Sequence, residues 1–153
     1  MSHNDIAFYL ETARKTEAFS GDEILVLDEV LRGCFDAPGR DYTLIDAEEC
    51  GASGGFLIFG PTPMTAFAWD LYWIVVHPDF QRQGIGQALL AEVERRIALA
   101  GGRNIYIETS SQPLYQPTQA FYERGGYTLE ATLCDFYDAG DDKLVYVKRL
   151  KSE

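Results

Sequence analysis

Apolar and polar positions along the chain switch between a period of two and a period near four, and glycine or proline marks each switch. Ile6, Phe8 and Leu10 alternate with Ala7, Tyr9 and Glu11, which predicts a first strand over residues 6–11. Ser20-Gly21-Asp22-Glu23 reads as a capping box. The helix it opens carries Ile24, Leu27, Leu31 and Cys34 on one face and ends before Pro38-Gly39. Residues 42–47 and 55–59 read as strands, joined by an acidic, glycine-marked turn. Residues 67–76 form a longer strand, and 84–100 a helix with Ile85, Leu89, Val93 and Ile97 on one face. A strand over 103–109 follows, with Ile105 and Ile107 opposed to Tyr106 and Glu108. Strand, helix and strand in so short a space predict a parallel crossover. Pro117 opens a last helix that stops at Gly125-Gly126, and 127–137 with 143–148 read as a closing hairpin. With no internal repeat and no low-complexity linker, residues 1–153 are expected to form a single domain with a mixed α/β sheet.

One stretch carries candidate chemistry: Asp70 to Gly86, where a strand runs through a glycine-punctuated turn into a helix. Gly84 and Gly86 leave the backbone open to a ligand. The helix behind them presents unpaired N–H donors and about half a positive charge, which suits a phosphate or pyrophosphate. Gln81-x-x-Gly84-x-Gly86 lacks the lysine and hydroxyl of a P-loop, so triphosphate hydrolysis is not expected. Leu89 stands where a dinucleotide fingerprint has its third glycine, so a nucleotide-binding α/β protein is a weaker reading.

Charge and composition change the picture in two ways. The 153 residues carry a formal net charge of -11, which argues against nucleic acid as a partner. A wide acidic field favours a cationic substrate such as an amine, and it equally serves solubility alone. No apolar run reaches the roughly 18 residues of a membrane span, and the polar N-terminus lacks a signal peptide's apolar region. Cys34, Cys50 and Cys134 are odd in number and widely spaced, and His3 and His77 are the only histidines. Neither a disulfide framework nor a metal site is expected, and a reducing cytoplasm is the plain reading of location.

Gln81-x-x-Gly84-x-Gly86, placed between Val76-His77-Pro78 and a helix ending at Gly101-Gly102, resembles the acyl-CoA signature of the GNAT superfamily of N-acetyltransferases. Ala120-Phe121-Tyr122-Glu123-Arg124-Gly125-Gly126-Tyr127 resembles that family's second motif in loose form. The likeness is firm from about Asp70 to Tyr127 and loose before it. It implies a strongly twisted mixed sheet, flanked by helices, whose two central parallel strands (67–76 and 103–109) splay apart at one end. It also implies that the turn around Gln81, Arg82, Gln83, Gly84, Ile85, Gly86 and Gln87 grips the CoA pyrophosphate. Backbone groups of Ile74, Val75 and Val76 would pair with the pantetheine arm, as an added strand would. Tyr115 stands where the family often has an asparagine that contacts the CoA arm, and offers a hydroxyl instead.

Direct acetyl transfer to an amine requires removal of an amine proton, and the departing thiolate benefits from an acid. The resemblance nominates Tyr122 as that acid or hydrogen-bond donor; a tyrosine packed on the core explains the same residue without function. For the base it nominates Glu108, loosely like the ribosomal-protein N-terminal alanine acetyltransferase branch, with Asp70 as rival. A solvated carboxylate at a strand end is the plain alternative for both. Asp135 and Tyr137, with Asp141 and Asp142, lie where the family's last hairpin borders the acceptor, and a tight polar turn accounts for them as well. Cys134 has no neighbouring histidine in sequence. The expected activity is acetyl-CoA-dependent N-acetyl transfer to a primary amine: a small molecule, an amino acid or a peptide end. The alternative is a catalytically silent acyl-CoA-binding module of the same fold. Family members are often homodimers, and no segment here demands it.

Overall fold

The computed structural model describes residues 3–150. In order the elements are α1 (His3–Lys15), α2 (Gly21–Asp36), β1 (Thr43–Asp46), β2 (Gly55–Pro61), β3 (Ala68–Val76), α3 (Ile85–Leu99), β4 (Asn104–Ser110), α4 (Gln116–Arg124), β5 (Thr128–Asp138) and β6 (Asp141–Arg149). Short 3-10 turns lie at Ala47–Cys50, Pro78–Phe80 and Pro113–Tyr115. The strands are ordered β1-β2-β3-β4-β6-β5 in one mixed sheet. β3 and β4 run parallel, and β1–β2, β4–β6 and β5–β6 are antiparallel. This is the mixed, helix-flanked α/β sheet that the hydrophobic pattern and the resemblance predict.

The predicted first strand is wrong: residues 6–11 lie inside helix α1. Two periods compete there. Ile6, Phe8 and Leu10 alternate, but Ile6, Tyr9, Leu10 and Ala13 recur at the helical i, i+3, i+4, i+7 spacing. The second set is the one buried, while Phe8 is exposed. Tyr9 is the residue that decides, because it packs inward as an apolar group. Its ring lies against Phe56 and Phe35, and its hydroxyl donates to Asp46 at 2.7 Å.

By their internal contacts the residues form two units, and β3 and α3 each contribute to both. The first comprises the chain up to Pro61 together with Tyr72–Val93. Strand β2 is buried on both faces from Gly55 to Gly60. Phe56 and Ile58 join Leu44, Val75 and the inward faces of α1 and α2 in one apolar cluster. The capping box at Ser20 forms as expected: Ser20 Oγ accepts from Glu23 N and Glu23 Oε1 from Ser20 N, each at 3.1 Å.

The second unit comprises Thr62–Leu71 and the chain from Glu94 onward. Here β4 alternates strictly, with Ile105, Ile107 and Thr109 buried. Helix α4 ends as its glycines require. Gly126 adopts φ +93°, and Tyr127 N–H bonds to Tyr122 O while Gly126 N–H bonds to Glu123 O. That pair of bonds is a Schellman motif. The same motif closes α3 at Gly101, with φ +86°.

Loss of the α2 cap is the simplest probe of this fold. Ser20→Ala should lower stability by about 1 kcal/mol. In urea denaturation the midpoint should fall with the slope unchanged.

Candidate functional site

In the first unit, β3 ends at Val76 and the chain turns over Pro78–Phe80 before α3 begins at Ile85. His77 makes the turn: its backbone N–H bonds to Gly54 O at 2.6 Å, and its Nδ1 accepts from Asp79 N at 3.1 Å. Gln81 folds back, its Nε2 donating to Val76 O at 3.2 Å, so its side chain braces the strand exit. Of the three β3 positions nominated for backbone pairing, Val75 is buried in the core, Ile74 and Val76 are half-buried, and the Val76 carbonyl already carries this bond. Arg82 is left-handed at φ +64° and Gly84 at φ +79°. A left-handed arginine costs about 1–2 kcal/mol of backbone strain. Left-handed residues in a turn aim successive N–H groups into one concavity, the shape that receives an anion.

Helix α3 starts bare. Its first turn holds no acidic residue, and the residue before it is Gly84, which has no side chain to cap with. The other helices of this unit differ: α2 has its capping box and Asp22 and Glu23 in its first turn, and α1 has Asp5. Residues 81–84 and Gln87 are exposed, and a Cβ placed on Gly84 would meet nothing within 4 Å. The first-turn N–H groups thus have neither a capping side chain nor a counter-charge of their own helix. This suits an anionic group such as a phosphate.

Two glycines set the position of that helix start. A Cβ on Gly55 would stand 2.9 Å from Val75 O and 3.1 Å from Ile85 Cγ2, so α3 lies close on β2 only because this residue has none. A Cβ on Gly54 would run into the Phe80 ring, and Gly54 is left-handed at φ +82°. In the sequence these glycines read only as a turn before a strand, because their partners lie 20 to 30 residues on.

In the second unit Tyr122 is 5% exposed, its ring packed among Phe121, Tyr127 and Tyr146. Among the described residues its hydroxyl has no hydrogen-bond partner. Tyr127 and Tyr146, by contrast, donate to Glu94 and Glu123. Burial raises the Tyr122 pKa above that of an ordinary phenol, so the proton stays on oxygen well past neutrality. Helix α4 is tied down at both ends. Gln119 Nε2 donates to Ser110 O at 3.0 Å, and Lys148 Nζ donates to Gly125 O at 2.9 Å. Tyr115 is the half-buried residue immediately before this helix.

The two candidate carboxylates share a sheet face. Asp70 pairs with Tyr106 across the parallel β3–β4 register, and Glu108 follows two residues later on β4. Both are engaged: Asp70 Oδ2 accepts from Thr62 Oγ1 at 2.7 Å, and Glu108 Oε1 lies 2.9 Å from Lys143 Nζ. The Glu108 side chain is nonetheless 53% exposed. Tyr122 is on the other face, since it packs on Tyr146, which pairs with Ile107. The hairpin residues form the tight turn considered above. Asp135 Oδ1 accepts from Gly140 N at 2.8 Å and Asp142 Oδ1 from Asp135 N at 2.9 Å. The Lys143 contact to Glu108 had no local signal, because the two residues are 35 apart in sequence and meet only through strand register.

A family model described as an acetyltransferase (GNAT) domain matches residues 40–129. The crystal structure of a GNAT-family protein from Desulfovibrio desulfuricans is similar over 97% of this chain and 94% of that one, at 37% identity and a TM-score of 0.88. An aminoglycoside 6'-N-acetyltransferase complexed with coenzyme A matches over 99% and 94%, at 19% identity and a TM-score of 0.76. The ribosomal-protein-S18-alanine N-acetyltransferase from Escherichia coli matches over 100% and 92%, at 19% identity and 0.72. No curated protein matches the chain.

The seat of α3 can be tested without any ligand. Gly55→Ala should cost about 1–3 kcal/mol, since its Cβ must push strand or helix away. Amide exchange at residues 85–89 should quicken, measured by mass spectrometry. Gly21→Ala is the control: a Cβ there meets nothing within 4 Å, so a strand-independent loss in both variants would contradict the packing account.

Proposed function

The chain belongs to the GNAT acetyltransferase family, and from that premise we propose that it transfers an acetyl group from acetyl-CoA to a primary amine by direct attack. The observation that carries this reading is the bare start of α3 behind a strained turn that ends in Gly84. An anionic pyrophosphate supplies what that helix end lacks, and Arg82 adds a cation beside it. Ile74, Val75 and Val76 give the backbone edge for the pantetheine arm, consistent with β3 continuing five residues beyond its last parallel pair, Leu71 with Ile107. Tyr115 is proposed to offer its hydroxyl to the same arm.

Bound acetyl-CoA supplies the thioester; the chain supplies proton control. Tyr122 donates a hydrogen bond to the sulfur as it becomes a thiolate. An ordinary thiol titrates at about 8.5, well below a buried phenol, so this proton is shared with the sulfur rather than surrendered. Glu108 or Asp70 takes the ammonium proton through water. The acidic chain favours a cationic acceptor. The aminoglycoside and ribosomal-protein enzymes of similar fold also take amines, which supports the class of acceptor and not either molecule.

Tyr122→Phe separates chemistry from binding. It removes one hydroxyl that has no hydrogen-bond partner among the described residues, so stability and acetyl-CoA affinity should be nearly unchanged. Turnover on an amine panel should fall by about 10². Because burial raises its pKa, the wild-type tyrosine should cause no alkaline loss of kcat up to about pH 10. Undiminished turnover in the variant would remove Tyr122 from the mechanism. Acetyl-CoA binding with no turnover of any amine by the wild type would instead return the chain to a silent binding module.

A further inference from the structure

Glu108 and the Phe136 ring together hold a primary ammonium, and the chain supplies its own. Lys143 Nζ lies 2.9 Å from Glu108 Oε1 and 4.4 Å over the centre of the Phe136 ring. Strand register explains the meeting. In the antiparallel β4–β6 pair Glu108 stands opposite Val145 and Ser110 opposite Lys143, so Lys143 and Glu108 are diagonal neighbours on one face. Leu133 of β5 stands opposite Lys143, and Phe136 follows the irregularity beyond it. A carboxylate and an aromatic face are the two groups that recognise an alkylammonium. One accepts its N–H bonds and the other attracts its charge.

Exposure sets the two walls apart from their occupant. The Glu108 side chain is 53% exposed and Phe136 is 52% exposed, whereas the Lys143 side chain is 16% exposed. Both walls are therefore reached from solvent, while the lysine stem is largely covered. The seat is also held in place. Asp135 and Asp142 bond to the backbone of the turn and Asp141 Oδ1 accepts from Ser110 Oγ, which fastens the hairpin that carries Phe136. A pair so open to water is weakly held, so its ammonium can be exchanged for another. We propose that Glu108 and Phe136 seat the acceptor's ammonium, that the acceptor is a primary amine on an unbranched alkyl chain, and that Lys143 is its intramolecular competitor. Glu108 is one of the two bases of the acetyl-transfer reading, on which this inference rests. It holds the ammonium on arrival and, through water, takes its proton afterwards. An acceptor must displace Lys143 first, so its apparent affinity is reduced to the fraction of molecules whose seat is open. At saturating amine the lysine is already displaced, and kcat does not depend on it.

Titration with n-butylammonium in the absence of acetyl-CoA, followed by NMR at the amides of Glu108 and Phe136, tests the seat apart from the chemistry. Lys143→Met keeps an unbranched apolar side chain over the ring and should bind the probe about tenfold more tightly than the wild type. Lys143→Arg can grip Glu108 through two N–H bonds and should bind it less tightly than the wild type. A merely structural lysine would shift both variants in the same direction. In amine turnover KM should follow the same order with kcat unchanged, and Glu108→Gln should abolish the gain given by Lys143→Met. Thermal unfolding should show each variant folded. On the wild type alone, the probe should move the Lys143 side-chain signals as that ammonium leaves the ring. Unmoved signals at saturation, no gain in Lys143→Met, or a gain that survives Glu108→Gln would each overturn the proposal. Probe binding in the expected order with no turnover of any amine would leave the seat standing and remove the acetyl-transfer reading instead.

Discussion

Helix α3 can begin where it does only because Gly55 carries no side chain. A methyl group at Gly55 would stand 3.1 Å from Ile85 Cγ2, a tight contact, and 2.9 Å from Val75 O on the neighbouring strand, where something must shift. The helix start is thereby fixed to the exit of β3. The turn between them is forced through two left-handed residues, one of them an arginine. Strain of this kind persists only where the surroundings over-determine it. Gly54, Phe80, His77 and the Gln81 side chain are those surroundings. What they hold in place is a helix end with no cap and no acid, in a chain whose other long helices start with acids.

The residues proposed for proton chemistry lie on opposite faces of the sheet. Tyr122 is buried and, among the described residues, without a partner for its hydroxyl, whereas Glu108 and Asp70 are engaged with Lys143 and Thr62 on the opposite side. The difference in surroundings matters more than the difference in residue type. Burial keeps the phenol protonated, while a carboxylate beside an ammonium or a hydroxyl remains a competent acceptor only if that partner can yield to water or substrate. The Lys143 ammonium also lies 4.4 Å over the Phe136 ring.

Much of this was legible in the sequence, and the reasons are specific. Ser20 and Glu23, Pro117, and the glycine pairs at 101–102 and 125–126 act on backbone within a few residues, so their helix ends were readable. The alternation through Ile105 and Ile107 identified β4 because both neighbours in the sheet leave one face buried. The first strand was misread because Tyr9 can count as polar or apolar, and only its partners Phe35, Phe56 and Asp46 decide. Turn residues around Gln81 were readable as a motif, yet the bracing bond from Gln81 to Val76 O was not. The same limit hid the seat at Gly54 and Gly55 and the Lys143–Glu108 pair, since each joins residues distant in sequence. The exposure of β5 was likewise invisible, because which strand lies at the sheet edge is set by pairing between distant segments.

The central claim is that the bare end of α3 holds the pyrophosphate of acetyl-CoA. Calorimetric titration of the wild type and of Gly84→Glu with acetyl-CoA tests it most directly. The wild type should bind one molecule per chain. The variant, shown by thermal unfolding to be folded, should lose at least about tenfold in affinity, or 1.4 kcal/mol, because its carboxylate competes for the same N–H groups. No binding by the folded wild type, or equal binding by the variant, would contradict the account.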